Sequence, residues 1–173
     1  MHSKLQLYTI DIKYIRALHK ADDNVPSVSP QIGKQHRVFL GIIVFLGSKK
    51  YCIPLASAKK KHMYMKDTVD FIKVYNSQGN LKAVLNLNYM IPVSDKQIKL
   101  YNINYSNDDT TYWRQYKSLC RQELTWCRQH EKIIRDKATS LYTMYKRGDY
   151  FKARSRCLNF TKLEKVCDKY NSK

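Results

Sequence analysis

The sequence predicts an α+β fold: one domain over residues 1–173, a twisted, mostly antiparallel sheet with helices gathered mainly after it. Three observations carry this. The first two thirds of the chain divide into short β-branched and aromatic runs separated by turn residues. From Tyr112 onward the apolar period becomes that of a helix. A chain of 173 residues that is 43% apolar is also long enough to bury a core without disulfide or metal staples.

LQLYTI (Leu5–Ile10) is the first strand. In DIKYIRALHKADD (Asp11–Asp23), Ile12, Ile15, Leu18 and His19 fall at helical spacing, which predicts a short amphipathic helix ending before Asn24-Val25-Pro26. SVSPQIGKQHR (Ser27–Arg37) reads as an exposed, mobile loop. Five further strands follow: VFLGIIVFL (Val38–Leu46), YCIPLA (Tyr51–Ala56), DFIKVYN (Asp70–Asn76), AVLNLNYMIPV (Ala83–Val93) and IKLYNI (Ile98–Ile103). Gly47 and Gly79 sit in short loops between runs, so hairpins are the natural connections and the pairing is antiparallel. Beyond Tyr112, the residues Tyr116, Leu119, Cys120, Cys127, Ile134, Leu141 and Met144 recur at intervals of three, four or seven. That pattern is one long helix, or two broken near His130, closed by Gly148. Thr161 with Glu164 forms a capping-box pattern for a last helix, TKLEKVCDKY.

Charge narrows the function. There are 32 Lys and Arg against 14 Asp and Glu, for a net +18. The excess is spread out: residues 1–111 carry 16 basic and 8 acidic side chains, residues 112–173 carry 16 and 6. So basic a surface implies a polyanionic partner, nucleic acid before an anionic membrane. The 14 Tyr, 5 Phe and 2 Trp supply rings on which bases could stack, although most aromatics belong in a core. No apolar run reaches membrane-spanning length, and MHSKLQLYTI lacks the apolar stretch of an export signal, so a soluble, cytoplasmic protein is expected. The five cysteines form no CxxC pair and are odd in number, which suits reduced thiols; Cys120 and Cys127, seven apart, share a helix face and suit packing.

Several chemistries lack residues. The histidines are scattered with no HxH or HExxH pattern, and the glycines form no phosphate loop, so no metal or cofactor is expected. The acidic pairs Asp22-Asp23 and Asp108-Asp109 read as solvated turn residues. What remains is PLASAKKKHMYMK (Pro54–Lys66), where Ser57, Lys59, Lys60, Lys61 and His62 directly follow an apolar strand. A strand end is a rigid mount for a reacting group. If the strands on either side of Gly47 pair, Arg37 at the end of KQHR (Lys34–Arg37) converges on Ser57. Clustered cations can neutralise charge that builds on a phosphate during RNA cleavage. Their mutual repulsion also favours proton release from one of them for general acid or base work, which His62 could share. The candidate phosphate contacts are Lys34, Arg37, Lys49, Lys50, Lys60 and Lys61. Taken alone, three lysines in a row are more often a solvated or phosphate-positioning run, and a lone His62 more often structural than catalytic.

Taken together, LYTIDIKYIRALHKADDNVP, RVFLGIIV, PLASAKKKH, DFIKVYN and LNLNYMIPV, with CLNFTKLEKVCDKY near the end, resemble in order and spacing the ToxN/AbiQ endoribonucleases, toxins of type III toxin–antitoxin systems. The resemblance implies a compact, strongly twisted sheet similar to the Kid/MazF toxins and a metal-independent, sequence-selective ribonuclease leaving 2′,3′-cyclic phosphate ends. It implies as partner a repeated antitoxin RNA, processed by the toxin into pseudoknots that occupy the active-site groove in a closed protein–RNA assembly, with cellular or phage RNA as substrate and phage defence as setting. The family's TSxK motif falls on Ala56-Ser57-Ala58-Lys59, its downstream histidine on His62 and its basic residue before the FxG strand on Arg37. Ala56 stands where the family usually has Thr, and the family tyrosine of the preceding loop has no counterpart, Gly33 lying nearest. The alternative from another class is a non-catalytic RNA-binding domain using the same basic surface; a membrane-surface protein ranks third, for want of a helix with one apolar and one basic face.

Overall fold

The computed structural model describes residues 4–26, 40–148 and 155–173. Seven strands, β1 (Leu7–Ile10), β2 (Leu40–Leu46), β3 (Lys49–Ser57), β4 (Phe71–Tyr75), β5 (Leu81–Asn86), β6 (Ile91–Val93) and β7 (Ile98–Leu100), form one sheet. Along it the strands run β4-β5-β3-β2-β1-β7, with β6 paired to β3, and every pairing is antiparallel. Among the described residues five helices accompany them: α1 (Ile12–Ala21), α2 (Lys60–Tyr64), α3 (Thr111–Gln129), α4 (Glu131–Arg147) and α5 (Phe160–Asn171). None of the described helices is long and apolar enough to cross a membrane. The mixed α and β architecture is the one the sequence predicts. The segment 27–37 read as a mobile loop lies outside the described residues, as do Lys34 and Arg37.

β3 is the spine. Its first half is flanked by β2, from Leu46 opposite Lys49 to Gly41 opposite Pro54, and by β6, from Lys50 opposite Val93 to Cys52 opposite Ile91. From Leu55 to Ser57 it pairs instead with β5, Ser57 lying opposite Ala83. The changeover falls at Pro54, which has no N–H to give a ladder. Gly47 and Gly79 turn the two hairpins at φ 63° and 77°, a region costly for any residue with a Cβ. Gly41 serves differently. A Cβ there would lie 2.4 Å from both Cys52 Sγ and the Ile53 carbonyl oxygen, so β2 can lie this close to β3 only without a side chain.

Four details depart from the sequence reading. Ala83–Val93 is not one strand: the Asp70 carbonyl accepts the Leu87 N–H at 3.0 Å, and a 3₁₀ turn (Leu87–Tyr89) divides β5 from β6. α1 buries Tyr14, Ile15 and Leu18, whereas Ile12 is 44% exposed; Tyr14 donates its OH to the Pro92 carbonyl at 2.6 Å. α5 is capped by Asn159, whose side chain accepts the Lys162 N–H, rather than by Thr161 with Glu164. Asp22 and Asp109 are not merely solvated: Asp22 accepts the Asn159 N–H at 2.8 Å, and Asp109 holds Lys117 at 2.8 Å with both side chains about 12% exposed or less. The helical break at His130 and the left-handed stop at Gly148 stand as read.

Glu164, freed from capping, is the polar knot of the core. One carboxylate oxygen accepts the hydroxyls of Tyr51 on β3 and Tyr142 on α4, each at 2.6 Å; the other accepts Lys146 at 2.7 Å. Burial pulls this carboxyl up, but the bonds from Lys146, Tyr142 and Tyr51 outweigh it and hold the group below its ordinary range. Around the knot Tyr51, Tyr142 and Phe160 meet edge to face or stacked, with Tyr51 and Phe160 fully buried. Cys120 and Cys127 pack on the inner face of α3, where burial pushes both thiols up to about 12 and leaves them inert at neutral pH.

Gly41→Ala is expected to lower unfolding stability by about 1–3 kcal/mol, the usual cost of forcing atoms into a packed core. A urea melt checks this, and an unchanged midpoint would show that β2 and β3 can separate freely.

Candidate active site

The strand ladder runs one residue beyond Ser57, where the Ala58 N–H donates to the Lys82 carbonyl at 3.0 Å. Lys59 remains extended, and the chain then turns into α2, a five-residue helix that the sequence reading did not foresee. Its start is closed reciprocally. The His62 N–H donates to the Lys59 carbonyl at 2.8 Å, and His62 Nδ1 accepts the Lys59 N–H at 2.7 Å. This is half of a capping box, with an imidazole in the acceptor role, the N-cap lysine having no side-chain acceptor to return; the Lys59–His62 spacing of three was its signal in the sequence. The His62 ring lies 5.7 Å from that of Phe71 on β4, and the residue is only 8% exposed. α2 is thus anchored to the sheet rather than dangling from it.

Register brings in a cation the sequence reading missed. Ala56 is opposite Val84, and Val84 is opposite Lys73, so these three share one cross-strand row and one face. Lys73 is half-buried on β4 and, with Lys59 and Lys61, acts electrostatically on His62. Its only trace in the sequence is its place among apolar residues in FIKVY, two after Phe71. The cations grouped around His62 are therefore Lys59, Lys61 and Lys73, with Lys60 between them in the chain; Ser57, one residue beyond Ala56, alternates to the other face at the same sheet end, and it and the three consecutive lysines are exposed.

Lys49 and Lys50 are not part of it. They occupy the opposite end of β3, about 26 Å from Ser57 at the usual rise per residue. Each is held by a carboxylate, Lys49 by Asp168 at 2.7 Å and Lys50 by Asp95 at 2.5 Å. By contrast, Lys59, Lys60, Lys61 and Lys73 take part in none of the ion pairs among the described residues. Four cations left without carboxylates near an imidazole, at the sheet end that also carries the Ser57 hydroxyl, can hold a phosphodiester and stabilise negative charge that grows on it.

The hydrogen bond at Nδ1 sets what His62 can do. An acceptor nitrogen carries no proton, so the neutral ring bears its proton on Nε2 and is a donor there. Burial, reinforced by Lys61, Lys59 and Lys73, holds the imidazole below its ordinary pKa and favours this neutral form. The sign of the pH effect follows: the unfolded chain protonates more readily, so stability is full above about pH 6.5 and falls as pH drops below it. Between pH 7 and pH 5 the wild type should lose stability that His62→Gln, which has nothing to titrate, does not lose. Urea midpoints at the two pH values check this, and equal losses would refute the buried neutral imidazole.

The family model described as "Toxin ToxN, type III toxin-antitoxin system" matches residues 6–168 of this chain. Endoribonuclease ToxN of Pectobacterium atrosepticum is 29% identical over 164 residues, covering 92% of this chain and 90% of the relative. Endoribonuclease ToxN of Bacillus thuringiensis subsp. kurstaki is 25% identical over 174 residues, covering 97% and 85%. Among solved structures, one described as a processed non-coding RNA regulating a bacterial antiviral system is 25% identical, with a TM-score of 0.75 over 92% of this chain and 95% of that one. The structure of AbiQ, a lactococcal anti-phage endoribonuclease, shares the fold at a TM-score of 0.80 and 18% identity, covering 99% and 100%.

Proposed function

The chain belongs to the ToxN family of toxins from type III toxin–antitoxin systems, and on that premise we propose that it is a sequence-selective endoribonuclease, cleaving RNA at the cluster around Ser57, Lys59 and His62. The observation that carries the reading is the set of carboxylate-free cations, Lys59, Lys60, Lys61 and Lys73, gathered near His62 at the sheet end that carries Ser57. In the reaction the RNA 2′-oxygen attacks the adjacent phosphorus and loses its proton. The bond from phosphorus to the 5′-oxygen breaks, and that oxygen takes up a proton. The products are a 2′,3′-cyclic phosphate and a 5′-hydroxyl. Lys59, Lys60 and Lys73 neutralise the charge gathered on the non-bridging oxygens, with Arg37 a further cation assigned on family resemblance alone. His62 contributes its Nε2–H as a donor, and Ser57 Oγ orients the phosphate. With cations of its own in place, the reaction needs no metal ion.

Antitoxin RNA would be bound by the same charge and would inhibit by covering the cluster. The relatives support that partner: one solved structure, 24% identical, is described as showing selective toxin inhibition by a non-coding RNA pseudoknot. The cytoplasm is the compartment in which such a toxin would meet its RNA.

Two outcomes are expected. Lys59→Ala should abolish growth inhibition when expressed without antitoxin, while reducing RNA affinity only a few-fold in a filter-binding assay; retained toxicity would remove Lys59 from the site. Antitoxin RNA binding should weaken steeply with salt, log affinity falling with log salt by about 0.7–0.9 per phosphate neutralised. A calorimetric titration insensitive to salt would contradict a phosphate-dominated contact.

A further inference from the structure

A second site shares this end of the sheet. A groove of about 360 Å³ lies between the β4–β5 turn and α3, a volume within the range of ligand pockets. Two of its walls are the rings of Tyr75 and Trp126, with centroids 6.3 Å apart and planes inclined at 52°. Trp126 is set firmly: His130 stacks on it at 3.9 Å, and His130 Nδ1 lies 2.8 Å from the Trp126 carbonyl oxygen. Along the same stripe of α3, Ser118, Gln122 and Gln129 offer neutral donors and acceptors, and Arg121 completes the rim. Among the described residues, no Asp or Glu lines the groove. The Arg121 guanidinium rests 4.2 Å from the ring centroid of exposed Tyr105, held by a π face instead of a carboxylate.

The groove is close to Ser57, after which the lysines follow in the chain. Val74, the residue before Tyr75, is in register with Ala83, and Ala83 with Ser57. Ser57 is therefore two strand spacings away, about 10 Å. An aromatic wall, neutral amides and an unneutralised guanidinium together suit an unpaired nucleobase: the ring stacks, the amides meet the base edge, and the guanidinium takes the neighbouring phosphate. A base within a duplex cannot enter, because its faces and its pairing edge are occupied.

We propose that the groove between the β4–β5 turn and α3 is a nucleobase-binding subsite, holding an unpaired base of the RNA strand whose scissile phosphate lies at the lysine cluster. This rests on the reading of the chain as an RNA-cleaving enzyme and adds to it a determinant of which RNA is cut. It makes Arg121, Gln122 and Trp126 selectivity residues although all three lie outside the stretch that carries the lysines.

The test exploits the tryptophan count. The chain has 2 Trp, so Trp113→Phe leaves Trp126 as the sole indole reporter. That protein is titrated with a single-stranded RNA decamer carrying 2′-O-methyl sugars, which block cleavage, and separately with a hairpin duplex of the same bases. Fluorescein anisotropy on each RNA records total binding. The single strand is expected to quench Trp126 with the same midpoint as the anisotropy, and the duplex to leave the emission unchanged. Arg121→Ala with Gln122→Ala should weaken single-strand binding about tenfold, within the range of one stacked base, and Trp126→Phe should bind better than Trp126→Leu. Binding by anisotropy with unmoved Trp126 emission, quenching by duplex and single strand alike, or full affinity in the Arg121, Gln122 variant would each overturn the subsite. If neither RNA binds, the RNA reading itself fails and the subsite falls with it.

Discussion

The architecture depends on β3 being held along its whole length by changing partners. Between Lys49 and Pro54 it is fixed by β2, with β6 alongside Lys50 to Cys52; from Leu55 to Ser57 it is fixed by β5. The glycine at position 41 lets β2 approach closely enough, and Tyr51 ties the strand to α4 and α5 through Glu164. A strand secured in this way delivers its last residues to one place. Ser57 and the turn into α2 inherit that rigidity, and a reacting group needs it, because a shift of about 1 Å can cost orders of magnitude in rate.

Charge is divided into two populations. Among the described residues, seven acids are engaged with Lys49, Lys50, Lys117, Lys132, Arg135, Lys146 and Arg156, and several of these pairs join elements distant in sequence. Lys49 joins β3 to α5, and Lys146 reaches Glu164 in the core. The lysines around His62 are left out of this network. With 14 acids for 32 bases a remainder is unavoidable, and the fold places four of its members at this sheet end. Gathering it costs stability through repulsion, and that cost is recovered only when a polyanion binds.

Much of this was legible in the sequence and some was not, for physical reasons. The strand runs, the two glycine hairpins and the helical break at His130 follow from local chemistry, and local chemistry is what a sequence displays. The Lys59–His62 stretch was legible because its residues are contiguous. Lys73 was not, because only cross-strand register places it beside His62. The division of β5 from β6 depends on a carbonyl of Asp70, and the role of Glu164 on hydroxyls of Tyr51 and Tyr142, all distant in the chain. Tyr14 displaced Ile12 from the buried stripe because a tyrosine can bury its ring once its hydroxyl has a partner, here Pro92.

The central claim is that the unpaired cations beside Ser57 and His62 carry out metal-free cleavage of RNA. The most direct measurement incubates the purified protein with a long mixed-sequence RNA in EDTA, beside the Ser57→Ala, Lys59→Ala double variant, and maps the ends by mass spectrometry. Discrete cuts ending in 2′,3′-cyclic phosphate, absent with the double variant, are the predicted result. RNA left intact by the wild type, or cut equally by both proteins, would contradict it.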